Sequence, residues 1–168
     1  SIHSEYKMNR KPEKLNRFYE DDIPDTDENR IHQIGVLTKL LACTPMCQVY
    51  VPDCEGDDVI SYLAKNKFKD DEKTVLSCDR DFYQLLDDPS IVIYNSKRKA
   101  FINPKDVINE YHVSAKNFAL AKAICGDPGD NVDGVPGVGF KTLAKKIPSF
   151  SLDAPLLLDD VASYCTSR

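Results

Sequence analysis

The sequence has no apolar run approaching the roughly 18–20 residues that a membrane span needs. Its first stretch, SIHSEYKMNRKPEK, carries charge but no apolar core, so no signal peptide is expected there. The six cysteines, at 43, 47, 54, 78, 125 and 165, form no C-x-x-C pair. A cytoplasmic, reducing location with free thiols is therefore expected. Cys43, Cys47, Cys54 and Cys78 could in principle hold zinc, but small buried hydrophobes are the favoured reading. No internal repeat or low-complexity tract is present. Glycine is scarce, with seven in 168 residues, and five of these crowd into 126–139. Hydrophobic residues make up 42% and charged residues 29%, the profile of a globular chain able to bury one real core. The net charge is −5, from 22 Lys+Arg against 27 Asp+Glu. Taken alone, that sum argues against a nucleic-acid binder, which is usually basic.

The distribution argues otherwise. Residues 1–17 are basic, with Lys7, Arg10, Lys11, Lys14 and Arg17, whereas 20–28 hold six acids and no Lys or Arg. A helix is expected from about Asp27 to Thr44-Pro45, burying Ile31, Ile34, Leu37 and Leu41. Gln48–Val51 reads as a strand and 56–67 as a helix with Val59, Ile60 and Leu63 inward. Strands are expected at 74–77 and 91–94, with a short helix at 80–86 between them, and 100–102 as a hairpin partner or edge. Alternating strands and helices predict a parallel sheet with crossovers, an α/β core over 1–103. From Pro104 onward the pattern is helical only: 104–111, a helix capped by Ser114 and running to Cys125, 139–147, and a tail helical from Asp153. Residues 104–168 thus form a second, helical region.

Three acid clusters fall at element ends. Glu55, Asp57 and Asp58 lie at the start of helix 56–67. Asp79 and Asp81 follow strand 74–77, and Asp127 and Asp130 flank a turn. Each has a modest explanation in helix capping or Asx turns. Together they occupy positions that a parallel sheet could bring to one rim. Seven converging carboxylates repel, and a pair of Mg²⁺ or Mn²⁺ ions relieves that repulsion. The absence of a His-rich triad disfavours zinc. Two such ions suit in-line phosphodiester hydrolysis.

G-V-P-G-V-G at 134–139 opens a helix carrying Lys141, Lys145 and Lys146, with no acid between 134 and 148. Backbone amides and lysines there would hold phosphate without reading sequence, unless the segment is only a turn before a solvated helix. Tyr6, Lys7, Arg10 and Lys11 join one aromatic to a basic patch, either a nucleic-acid grip or a solvated tail.

Four ordered motifs resemble the 5′-nuclease superfamily, which includes the 5′→3′ exonuclease domain of bacterial DNA polymerase I, bacteriophage 5′-exonucleases and the flap endonucleases. They are E-Y-K-M-N-R-K-P (5–12), C-E-G-D-D-V-I (54–60), L-S-C-D-R-D-F-Y-Q-L-L (76–86) and G-D-P-G-D-N-V-D-G-V-P-G-V-G-F-K-T (126–142). The second and third look most like the phage branch. The resemblance implies a partial parallel-sheet nuclease core, a helical arch segment and a C-terminal helix–three-turn–helix. It implies that Glu55, Asp57, Asp58, Asp79, Asp81, Asp127 and Asp130 serve two Mg²⁺ or Mn²⁺ ions. Lys7 and Arg10 would match arch residues that act on the scissile phosphate, with Tyr6 and Lys11 beside them on DNA. Val135, Gly137, Val138, Gly139, Lys141 and Thr142 would match the duplex-binding turn, where the family also binds K⁺. The implied substrate is DNA with a 5′ end, flap or nick, in the host cytoplasm if the gene is a phage one. The family's first Asp-bearing strand and a second Asp do not precede Glu5. The resemblance therefore implies either a fragment or a second polypeptide that supplies them. Two other readings stay open: a non-catalytic, structure-specific DNA-binding module, and a compact ribonuclease, which the glycine turn disfavours.

Overall fold

A computed structural model describes Met8 and residues 26–166. Tyr6, Lys7, Arg10 and Lys11 therefore lie outside the described residues. The chain divides into two units: Arg10–Asp53, and Ser1–Asn9 together with Cys54–Arg168.

Within the first unit, α1 spans Asp27–Ala42. Thr26 is its N-cap, its Oγ1 accepting the Asn29 N–H at 3.2 Å, and Asp27 and Glu28 favour the positive end of the helix dipole. The expected buried stripe is not buried. Ile31 is 70% exposed and Leu37 55%, and no α1 residue is buried. Spacing shows which residues share a face, but burial needs a second element laid on it. Gln48–Val51 forms no strand, and Tyr50 is 87% exposed. β-Forming side chains make a strand only when a neighbour supplies hydrogen bonds and packing.

The second unit holds a mixed α/β core. The sheet has the order β1 (Lys73–Leu76), β2 (Ile91–Asn95), β3 (Ala100–Ile102). β1 and β2 are parallel, with Val75 opposite Ile93, and β2 and β3 are antiparallel, with Ile93 opposite Ile102. The 100–102 segment is thus a hairpin partner. Side chains alternate, so Val75, Ile91, Ile93 and Ile102 are buried on one face. The crossover between β1 and β2 is a 3₁₀ helix, Arg80–Asp87, whose Phe82, Tyr83, Leu85 and Leu86 are buried.

Before the sheet, α2 (Gly56–Tyr62) continues into a π-helical turn, Leu63–Lys67, so the predicted 56–67 helix is present in two geometries. Ala64 is its buried residue, and Ile60 stays 40% exposed. Beyond the sheet, α3 (Pro104–Tyr111) has Pro at its first position and a reciprocal capping box between Asn103 and Asp106. A short 3₁₀ turn, Ala115–Asn117, leads into α4 (Phe118–Cys125). Ser114 is the N-cap residue of the 3₁₀ turn, but its side chain makes no cap bond. Its Oγ instead lies 3.1 Å from the Asn117 amide nitrogen. α5 (Phe140–Lys146) follows, then α6 (Leu158–Thr166), which begins five residues later than the tail's acid-and-apolar pattern suggested.

Four rings weld these pieces. Tyr83 meets Tyr111 and Phe118 edge-on at 5.9 and 5.7 Å, and Phe118 stacks on Phe140 at 5.3 Å. A second core, around Val113, Ala121, Leu143, Ile147 and Phe150, joins α4 to α5. Asn117, wholly buried, ties both to the tail: its Nδ2 donates to the Ala154 carbonyl at 3.0 Å, and its Oδ1 accepts the Leu156 N–H at 2.8 Å. Among the described residues no cysteine is fully buried, although Cys125 packs against the second core. Cys43, Cys47 and Cys54 are exposed, Cys78 and Cys125 are half-buried, and all five are free thiols.

Candidate metal centre

Three of the predicted carboxylates meet. Oxygens of Asp81, Asp127 and Asp130 lie within 4.8 Å of one another, drawn from segments far apart in the chain. Asp81 sits in the first turn of the 3₁₀ helix that follows β1. Asp127 and Asp130 come from the loop after α4, and backbone bonds fix that loop. The Asp127 N–H donates to the Val132 carbonyl at 2.8 Å, and the Val132 N–H returns to Asp127 at 3.0 Å. Gly126 (φ 75°) and Gly134 allow the loop to close. A Cβ on Gly134 would lie 2.1 Å from the Cys125 carbonyl carbon, so the two backbones leave no room for a side chain. These two glycines close the carboxylate loop, and a third of the five, Gly129, donates its N–H to Asp127 Oδ1 at 3.0 Å.

The first acid cluster faces the same helix. Glu55, Asp57, Asp58 and Asp81 line one cavity of about 380 Å³, with Ser61 and Gln84. Asp81 also lines a smaller cavity of about 100 Å³ with Asp127, Arg80, Lys122, Tyr111 and Phe140. Asp81 is thus common to both. Glu55 precedes α2 without a side-chain cap bond, so capping does not account for it. Asp79 does cap: its Oδ1 accepts the Asp81 N–H at 3.0 Å. It lines neither cavity.

Lys122 was not singled out from the sequence. Its ammonium bonds Asp81 and lies 2.7 Å from Asp127. Burial alone would lower the pKa of this ammonium, but its hydrogen bonds to Asp127 and Asp81 raise it overall. Burial likewise pushes the Asp127 carboxyl up, and the Lys122 ammonium, the Gly129 N–H and Arg80 together hold it below the ordinary carboxylate range. Arg80 hydrogen-bonds Tyr111, which keeps the guanidinium firmly charged at the edge of the site. The available signal for Lys122 was its place on α4, one turn before the Gly126-Asp127 corner.

The remaining predicted residues lie elsewhere. Val135 is exposed, Val138 packs partly against the second core, Thr142 is half-buried, and Lys141 is exposed. Gly137 takes φ 74°, and Gly139 is the N-cap of α5.

The family model for the 5′-3′ exonuclease, N-terminal resolvase-like domain, matches residues 1–112. The chain belongs to the 5′-3′ exonuclease family. This exonuclease-family chain is 33% identical over 136 residues to a 5′-3′ exonuclease of Halalkalibacterium halodurans, covering 79% of the chain and 45% of that protein. It is 32% identical over 123 residues to the thermostable DNA polymerase I of Thermus thermophilus, covering 73% of the chain and 15% of the polymerase. Its fold matches the T5 D15 protein co-crystallised with metal ions, with a TM-score of 0.61 and 25% identity over 84% of the chain and 59% of the neighbour. A T5 flap endonuclease in complex with DNA and metal ions matches with a TM-score of 0.67 at 24% identity, over 82% of the chain and 48% of the neighbour. The exonuclease-family chain therefore spans less than half the length of the curated relatives it matches. Among the described residues, no helix is long and apolar enough to cross a membrane.

Proposed function

We propose that the chain is the metal-binding and DNA-binding portion of a structure-specific 5′-nuclease. It would hydrolyse phosphodiesters in DNA that carries a 5′ end, flap or nick. The observation that carries this reading is the place of Asp81 in both acid-lined cavities, one with Glu55, Asp57 and Asp58, the other beside Asp127 and Asp130. The residues fit hard divalent cations: the donors are all carboxylate oxygens, and the Lys122 ammonium already supplies positive charge between two of them.

Glu55, Asp57, Asp58 and Asp81 would hold one Mg²⁺ or Mn²⁺, and Asp81, Asp127 and Asp130 the other, with Asp79 fixing Asp81 through its backbone. When bound, such ions supply Lewis-acid charge and an activated water to phosphodiester hydrolysis. Arg80 and Lys122 balance charge around the acids, and the Gly126–Gly134 loop keeps Asp127 and Asp130 in register. Lys7 and Arg10 steer the scissile phosphate, with Tyr6 and Lys11 on the DNA. Residues 134–142 act as the turn of a helix–three-turn–helix, holding duplex through Val135, Gly137, Val138, Gly139, Lys141 and Thr142 and binding K⁺ through carbonyls. The division at residue 103 separates cutting from holding. Strands from a missing N-terminal part or from a second polypeptide complete the core, in the cytoplasm. The outer edge of β1 supports a further strand there, because it pairs with no strand among the described residues.

The test is release of a labelled 5′ flap in Mg²⁺, by the chain alone and with a family N-terminal fragment added. Weak cleavage alone, restoration by the fragment, and loss in Asp57→Asn and Asp81→Asn with DNA binding retained are expected. Efficient cleavage by the chain alone overturns the need for a second polypeptide. Binding without cleavage in every mixture, unchanged in both variants, favours a non-catalytic DNA-binding module.

A further inference from the structure

The turn of residues 96–99, between β2 and β3, carries three successive cations, Lys97, Arg98 and Lys99, all exposed. It stands on the rim where the acid centre begins. β1 and β2 are parallel, so both end on the same side of the sheet. The Ser77 N–H donates to the Tyr94 carbonyl at 3.1 Å. Cys78, the residue before Asp79, has its Sγ 3.3 Å from Ser96 Oγ. The turn is held in shape from within. Buried Asn95 accepts the Arg98 N–H on its Oδ1 at 3.0 Å, and the Arg98 guanidinium makes two hydrogen bonds to Glu110. Arg98 is thus engaged by the fold, whereas Lys97 and Lys99 form no ion pair among the described residues. Lys99 takes φ 51°, a left-handed conformation that favours glycine. Backbone strain of that kind gathers where a side chain has a task. Beside the turn lies a groove of about 400 Å³, with Phe101, Asn109, Asp106 and Glu110 in its lining. Its two acids are already engaged, Glu110 with Arg98 and Asp106 in the α3 capping box. Phe101 is 62% exposed, and Tyr94 braces it edge-on at 5.1 Å.

We propose that the β2–β3 turn is a single-strand grip, in which Lys97 and Lys99 hold phosphates of the flap and one of its bases stacks on Phe101. The proposal rests on the DNA-binding reading above. A braced, open ring next to unpaired lysines suits a strand of any sequence, because every base has a face to stack and every phosphate a charge to hold. Paired DNA keeps its bases inside the duplex and offers none to the ring, so the grip favours unpaired strand.

The test is fluorescence polarisation without divalent metal, across a salt series, with two labelled probes: a nicked duplex carrying an oligothymidine 5′ flap, and the same nicked duplex without the flap. The variants are Phe101→Ala and the double variant Lys97→Ala with Lys99→Gly, glycine being at ease in the left-handed backbone at 99. Retained cooperative melting establishes that both fold. On the flapped probe, Phe101→Ala is expected to weaken binding about fivefold, the low end for one stacked base, with the salt slope unchanged. The double variant should make the slope of log K against log salt shallower by about 1.4, the loss of two single-strand phosphate contacts. Neither variant should change binding of the probe without a flap. Wild-type binding of both probes, with the variants matching it on the flapped one, overturns the grip and leaves the DNA reading standing. Equal weakening on both probes overturns the assignment to unpaired strand. No binding of either probe by the wild type overturns the DNA reading and the grip with it.

Discussion

Replacing Lys122 by methionine keeps most of the side-chain volume and removes the ammonium between Asp81 and Asp127. Three carboxylates would then face one another within 4.8 Å. At an effective dielectric of about 20, a like-charge pair at that separation repels by ~3.5 kcal/mol. The repulsion cannot accumulate without limit, because one carboxyl can take up a proton. For an ordinary aspartate that uptake costs about 4 kcal/mol at pH 7. Lys122→Met should therefore lose about 2–4 kcal/mol of stability at pH 7 in EDTA, a melting temperature lower by ~5–15 °C for a chain of this size. The loss should shrink towards pH 4, as the acids protonate without help. Millimolar Mg²⁺ should raise the variant's melting temperature by more than the wild type's, because the ion replaces a charge that only the variant lacks. Calorimetry in EDTA and in Mg²⁺, at both pH values, reads all three effects. A variant as stable as the wild type in EDTA, or one with the wild-type response to Mg²⁺, refutes the view that Lys122 is the internal counter-charge of the site.

Asn117→Ala should cost about 3–5 kcal/mol, because it leaves the Leu156 N–H and a cluster of tail carbonyls without their partner in a dry interior; a urea midpoint measures it. Gly134→Ala forces Cβ against the Cys125 carbonyl and should destabilise by at least ~2 kcal/mol and weaken Mn²⁺ binding, whereas Gly35→Ala, with open space around it, should do neither. The Arg98 guanidinium forms two hydrogen bonds with Glu110, at 2.6 and 2.8 Å, and lowers its carboxyl below the usual 4.5. Both side chains are over a third exposed, so the pair contributes no more than about 1 kcal/mol. That contribution is complete above pH 4.5, the unfolded value, and is lost as pH falls through the lowered folded value. Arg98→Ala should thus show its destabilisation at pH 7 and lose it near pH 2.

Local chemistry made much of this protein legible. Asn103-Pro104 with Asp106 announces α3 because every part of that cap lies within four residues. The acid clusters stood out because all three fall at element ends that one sheet could bring together. What could not be read depends on distant neighbours. Lys122 looks like any helical lysine until α4 is laid beside the 3₁₀ helix that carries Asp81. Asn117 gives no hint that residues 149–156 will wrap its amide. The stripe of α1 and the strand-like Gln48–Val51 show the reverse error, in which a correct local pattern lacks the partner that would bury or pair it.

The row of rings has a consequence for distance. Tyr83 stands two residues after Asp81, touches Phe118, and Phe118 stacks on Phe140, the first residue of α5. The helix that begins with Phe140 is therefore joined to the acid centre through interlocked aromatic faces. Under the function proposed above, a polymer gripped along α5 would be held at a set span from Asp81, and the row would act as a ruler. Shortening one ring, as in Phe118→Leu, should blur the position at which a bound strand meets the acids before it weakens the grip.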